Sequence, residues 1–117
     1  MNTWKPMTLD EIALLLNNEL LACQHDERIA FANIQTTLRT VPIERYGKIE
    51  SVFVVAQRND QFLIYEDIEM GFEWCKPDAD GVIREYQCNQ FTLSQIMYQR
   101  LHPNSNCTTR AGRTEKP

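Results

Sequence analysis

The sequence predicts an α+β fold: one antiparallel sheet of about four or five strands, with an N-terminal and a C-terminal helix packed on one face. Three observations carry this prediction. Two helix-start signatures stand near opposite ends of the chain, Thr8-Leu9-Asp10-Glu11 and Thr92-Leu93-Ser94-Gln95. Between them lie short β-branched and aromatic runs. Turn-forming pairs separate those runs: Tyr46-Gly47, Asn59-Asp60 and Asp80-Gly81. Apolar helix stripes and an apolar sheet face are most simply buried against one another.

In the first helix Thr8 caps the N-terminus, and Glu11, three residues on, bonds back to its amide. Met7 and Ile12 occupy the positions of a hydrophobic staple. Leu9, Ile12, Ala13, Leu16, Leu20 and Cys23 then recur at helical spacing, so the helix is expected to run to about residue 23. Residues 26–33 read as a second, short helix with Asp26 as its cap and Ile29, Ala30 and Asn33 on one face. The last helix repeats the first: a Thr92–Gln95 capping box, a Phe91–Ile96 staple and an apolar face of Leu93, Ile96, Met97 and Leu101, ending at His102-Pro103.

Residues 35–44 turn β-like, but Pro42 donates no ladder hydrogen bond and restricts the segment to an edge or bulged strand. Residues 51–57, SVFVVAQ, have the apolar run of a central strand covered on both faces. Asn59-Asp60 then predicts a hairpin into residues 62–66. Pairing Arg58 with Gln61 sets Val55 against Ile64 and Val54 against Tyr65. A second hairpin is expected at residues 77–81, PDADG, setting Trp74 against Ile83, Glu73 against Arg84, Cys75 against Val82 and Glu69 against Cys88. Residues 1–103 thus form a single domain, and the polar, partly basic residues 104–117 are expected to be a flexible tail.

With 117 residues, 43% hydrophobic and 24% charged, the composition is that of an ordinary soluble domain. The longest apolar run, residues 12–16, is far short of a membrane span, and the N-terminus lacks the pattern of a signal peptide. Cytoplasmic residence is the expectation, with reduced thiols at Cys23, Cys75, Cys88 and Cys107. The net charge of −4 argues against nucleic acid as a partner. Its distribution is uneven: residues 60–86 carry eight acidic and two basic side chains, whereas residues 87–117 carry one acidic and four basic.

Catalytic motifs are absent from the sequence. It has no C-x-x-C or H-x3–5-H pair for zinc, no P-loop, no G-x-G-x-x-G and no G-x-S-x-G. Asp78-Ala79-Asp80-Gly81 departs from a calcium loop, with Lys76 and Gln87 where its first and last ligands belong, and reads as a turn. Cys23 and His25 are two apart and do not face each other on a helix. No catalytic residue, metal ligand or cofactor is expected. The remaining feature is YEDIEMGFEWC at residues 65–75, where carboxylates thread through apolar side chains. On a strand Glu66 and Asp67 point to opposite faces, so they are not expected to share a site.

The order of YEDIEMGF, DADGVI and Gln90 ahead of the terminal helix resembles small uncharacterised bacterial proteins, of the kind encoded in mobile gene cassettes or beside toxin genes. The resemblance covers residues 50–101 at most and implies a small bacterial α+β protein without assigning functional residues. The expected function is a non-enzymatic interaction protein, one form of which is an inhibitor or immunity-type protein. Its partner surface would comprise Tyr65, Glu66, Asp67, Glu69, Asp78 and Asp80, directed at a basic protein. The alternatives are a homodimer enclosing a small-molecule pocket and, behind it, a small metal-dependent enzyme.

Overall fold

The computed structural model describes residues 7–86 and 90–103. Helix α1 spans Leu9–Leu21 and α2 His25–Ile34; strands β1 Gln35–Arg45, β2 Lys48–Arg58, β3 Gln61–Glu66 and β4 Gly71–Cys75 follow, and α3 Leu93–Leu101 closes the order. The strands form one antiparallel sheet in the order β1-β2-β3-β4. This is the predicted α+β architecture with four strands. The tail expected at 104–117, together with Cys88 and Cys107, lies outside the described residues.

Both capping boxes form. The Thr8 amide donates to Glu11 Oε1 at 2.8 Å and the Glu11 amide to Thr8 Oγ1 at 3.1 Å. Thr92 and Gln95 exchange the same pair at 2.7 and 3.1 Å. Helix α2 begins one residue earlier than expected and is capped from Gln24, whose amide donates to Glu27 rather than using Asp26. Its core side comprises Glu27, Ala30, Phe31 and Ile34. Ile29 and Asn33 share the neighbouring face but stay exposed. Buried Glu27 is satisfied across the helix layer by Ser94 Oγ at 2.7 Å, and Glu19 accepts from the Leu93 amide at 2.9 Å. Two carboxylates thus hold the positive end of α3, where negative charge is favourable.

The helices cover one face of the sheet. Ile12, Leu16, Phe31, Ile34, Leu93, Ile96 and Met97 pack there against Val55, Leu63, Tyr65 and Phe72, with Trp74 at the margin. The other face has its own small core of Ile43, Val52, Val54, Ile64 and Cys75, closed by Ile83. The expected second hairpin does not exist. Trp74 pairs with Leu63 and Glu73 with Ile64. Ile83 bridges Ile43 on the far edge of the sheet: its amide donates to the Pro42 carbonyl at 3.0 Å, and the Glu44 amide donates to the Ile83 carbonyl at 2.9 Å. The chain after β4 is therefore a strap across the non-helical face. Phe91 brings it back to β4, accepting from the Phe72 amide at 2.9 Å. Pro42 tolerates this because β1 is an edge strand and only its carbonyl is used.

The β2–β3 hairpin closes at Arg58–Gln61 as expected, but a bulge between Val54 and Ala56 shifts every later pair by one. Val54 faces Ile64 and Phe53 faces Tyr65. Val54, Val55 and Ala56 are all fully buried. A run apolar on both faces gives the pairing no parity to obey, so the extra residue is accommodated without exposing an apolar side chain.

Candidate functional site: the Arg45–Glu66 turn cluster

The bulge decides what meets at the end of the sheet. The Phe53–Tyr65 pair aligns Glu66 with Val52, on the face of Glu50 and Arg45. Arg45, the last residue of β1, is only 2% exposed. Its Nη1 donates to Glu66 Oε2 in a direct ion pair and to Asp67 Oδ1 at 3.3 Å; its Nε donates to Glu50 Oε1 at 2.8 Å. Burial alone would lower the Arg45 pKa, but the bond to Glu66 and its charge, then Asp67, outweigh this and raise it. The guanidinium is permanently charged.

Glu66, at 1% exposure, uses its second oxygen to organise the β3–β4 turn. Oε1 accepts from the Ile68 amide at 3.1 Å and the Glu69 amide at 2.7 Å, while the Glu66 carbonyl accepts from the Met70 amide at 2.7 Å. Glu66 and Asp67 do share a site, contrary to expectation, because β3 ends at Glu66 and Asp67 already belongs to the turn. Arg45 directly precedes the β1–β2 turn, so the pair fastens two hairpin turns side by side. In an antiparallel meander those turns leave the sheet at the same end.

Both turns carry large apolar residues outward. Tyr46 is 82% exposed and Met70 70%, with Ile49 and Ile68 also exposed. Tyr46 has φ 53° and Met70 φ 63°, in the left-handed region. This region costs a non-glycine residue roughly 1–2 kcal/mol. Such strain persists where surrounding structure enforces it, and it concentrates at functional sites.

The six residues expected to form one acidic surface are divided. Tyr65 lies in the helix-side core, stacked edge-on against Phe72 at 5.0 Å, and burial followed by Glu19, Asp67 and Glu66 raises its pKa. Glu66 is buried, so it acts as a tether and not as a contact. Asp67 and Glu69 stand at the turn. Asp78 and Asp80 belong to the strap, where Arg84 Nη1 reaches Asp78 at 3.0 Å, Nη2 reaches Asp80 at 2.9 Å and Nε reaches Glu44 at 3.0 Å. Arg84 therefore clasps the strap and is not the partner of Glu73. The Arg84 bond, then the Val82 amide, lower the Asp80 pKa, while Asp80, Asp78 and Glu44 raise that of Arg84.

Glu73 is buried and accepts from the Cys75 thiol at 3.6 Å. Burial, then Glu73, push the Cys75 pKa far up, and burial followed by Glu27 raises that of Cys23. Neither is activated as a nucleophile. Among the described residues no group of three or more His, Cys, Asp and Glu side chains is arranged to hold a metal ion, and no helix is long and apolar enough to cross a membrane.

Fold and site together define a small α+β domain with two fastened turns. Comparison with other proteins adds no closer classification: no family model, no curated protein and no solved structure matches the chain.

Proposed function

We propose that the protein is a non-enzymatic interaction protein whose contact surface is the double-turn end of the sheet. Tyr46, Ile49, Ile68 and Met70 form its apolar centre, with Glu69 beside them and Asp67 held beneath by Arg45. The supporting observation is that two strained, outward-facing residues, Tyr46 and Met70, are held there by a buried ion pair. Interfaces concentrate affinity in such aromatic and methionine anchors. Arg45 and Lys48 are outnumbered by Glu50, Glu66, Asp67 and Glu69, so the end is net acidic and suits a basic protein. An inhibitor or immunity-type role in the bacterial cytoplasm is one concrete form of this function. The test is affinity capture from the cells that carry the gene, at about 0.1 M and 1 M salt, where the Debye length falls from about 10 to 3 Å. A basic protein retained at low salt and lost on Glu69→Lys supports the proposal. Retention indifferent to salt and to the reversal contradicts it.

A second reading, self-association, is favoured by Leu14 and Leu21 on α1, which are 63% and 73% exposed and seven residues apart. Light scattering that finds a strict monomer at high concentration counts against it.

A further inference from the structure

The opposite end of the molecule carries a different kind of site. An open groove of about 850 Å³ runs between α2 and α3 and reaches the β2–β3 turn, within the size range of small-molecule sites. Its apolar wall is Trp74, half-buried on the helix side of β4, with exposed Ile29 of α2 and Leu101 of α3. Arg58, beside the β2–β3 turn, and Arg100, in the last turn of α3, line the same groove.

Among the described cations, Arg58 and Arg100 share with Lys48, at the far end of the sheet, the lack of a side-chain partner. Arg45, Arg84 and Lys76 each hold at least one carboxylate. Arg28 and Arg39 bond to carbonyl or side-chain oxygens, and Arg39 also stacks on Phe62 at 5.0 Å. The side chains of Arg58 and Arg100 have neither an ion pair nor a hydrogen bond among the described residues. In a chain of net charge −4, two unpaired guanidinium groups therefore share one groove with an aromatic wall. Asp26 is the acid that lines it, from the first turn of α2, and repels an anion from that part of the groove.

We infer that this groove binds a small aromatic carboxylate, its ring against Trp74, Ile29 and Leu101 and its carboxylate between Arg58 and Arg100. Guanidinium groups match carboxylates with paired N–H donors, and charge-assisted hydrogen bonds are about twice as strong as neutral ones. Aromatic faces add stacking and cation–π attraction. The site is independent of the double-turn surface.

The test titrates 2-naphthoate into the full-length protein and follows the Trp74 indole N–H by NMR, assigned through Trp74→Phe, with the neutral amide 2-naphthamide in parallel. The expected result is a saturable Trp74 shift with naphthoate, weakened roughly tenfold or more in Arg58→Gln/Arg100→Gln, since each lost charged hydrogen bond is worth about that factor. Naphthamide should bind weakly and equally to both proteins. Arg58 is exposed and Arg100 half-buried, and an unchanged amide spectrum of the double variant verifies its fold. No saturable shift, an affinity for naphthamide equal to that for naphthoate, or a naphthoate affinity untouched by the double substitution overturns the inference.

Discussion

Arg45 and Glu66 stand on β1 and β3 with β2 between them, yet the guanidinium donates directly to the carboxylate. Two strand spacings amount to about 10 Å of backbone separation, a gap closed by two long side chains on one face. A buried pair of this kind is weak evidence of net stability against an apolar replacement, whereas breaking it on one side is costly. Its position between two turns is consistent with a role in fixing geometry.

Arg45→Met should lower the unfolding free energy by about 3–5 kcal/mol, because Glu66 is left buried without its cation. Adding Glu66→Gln should recover the larger part, since the neutral amide oxygen can still accept from the Ile68 and Glu69 amides. Urea unfolding of both variants checks this. A loss below about 1 kcal/mol for Arg45→Met, the value of an exposed pair, would contradict the description.

The Arg84 clasp predicts an acid dependence. The Asp80 pKa is lowered in the folded protein, below an unfolded value near 3.9. Its stabilisation is present above the unfolded value and is lost as pH falls through the folded one. In Arg84→Gln, NMR titration of the Asp80 carboxylate should show its midpoint rising toward the ordinary value. An unmoved midpoint would mean that Arg84 does not hold Asp80.

Cys75 and Cys23 should resist alkylation at pH 8 in the native state and react fully in urea, because burial keeps both as thiols. Peptide mapping by mass spectrometry distinguishes them from the other two cysteines. Rapid native labelling of Cys75 would show that the strap over it opens readily.

Much of this fold was legible in short-range signals. Both capping boxes, the Arg58–Gln61 closure and the edge character imposed by Pro42 follow from residues a few positions apart. The turn cluster was not legible, for a specific reason. Without the bulge at Val55, pairing from Arg58–Gln61 sets Phe53 against Glu66 and leaves Arg45 on the opposite face. The single extra residue in SVFVVAQ inverts that parity, and nothing in an all-apolar run announces it. The strap is not legible because PDADG has good turn chemistry, and it does turn: the Gly81 amide donates to the Asp78 carbonyl at 2.8 Å, with φ 84° at Gly81. Turn residues cannot say which strand the outgoing chain will join. Arg84 is a signal, since Asp78 and Asp80 lie six and four residues before it, but its third partner, Glu44, is reached only once the strap crosses to β1.

The proposed function requires that Tyr46 and Met70 are held in left-handed conformations for contact and not for folding. Glycine at both positions relieves about 1–2 kcal/mol of left-handed strain per site against roughly 0.5–1 kcal/mol of added unfolded-chain entropy. The decisive measurement is unfolding free energy alongside partner capture for Tyr46→Gly/Met70→Gly. The proposed function predicts stability unchanged or raised by up to about 3 kcal/mol for the two sites together, by the difference of those same terms, with capture of a basic partner abolished. A variant that is destabilised, or that captures the partner as well as the parent does, would contradict it.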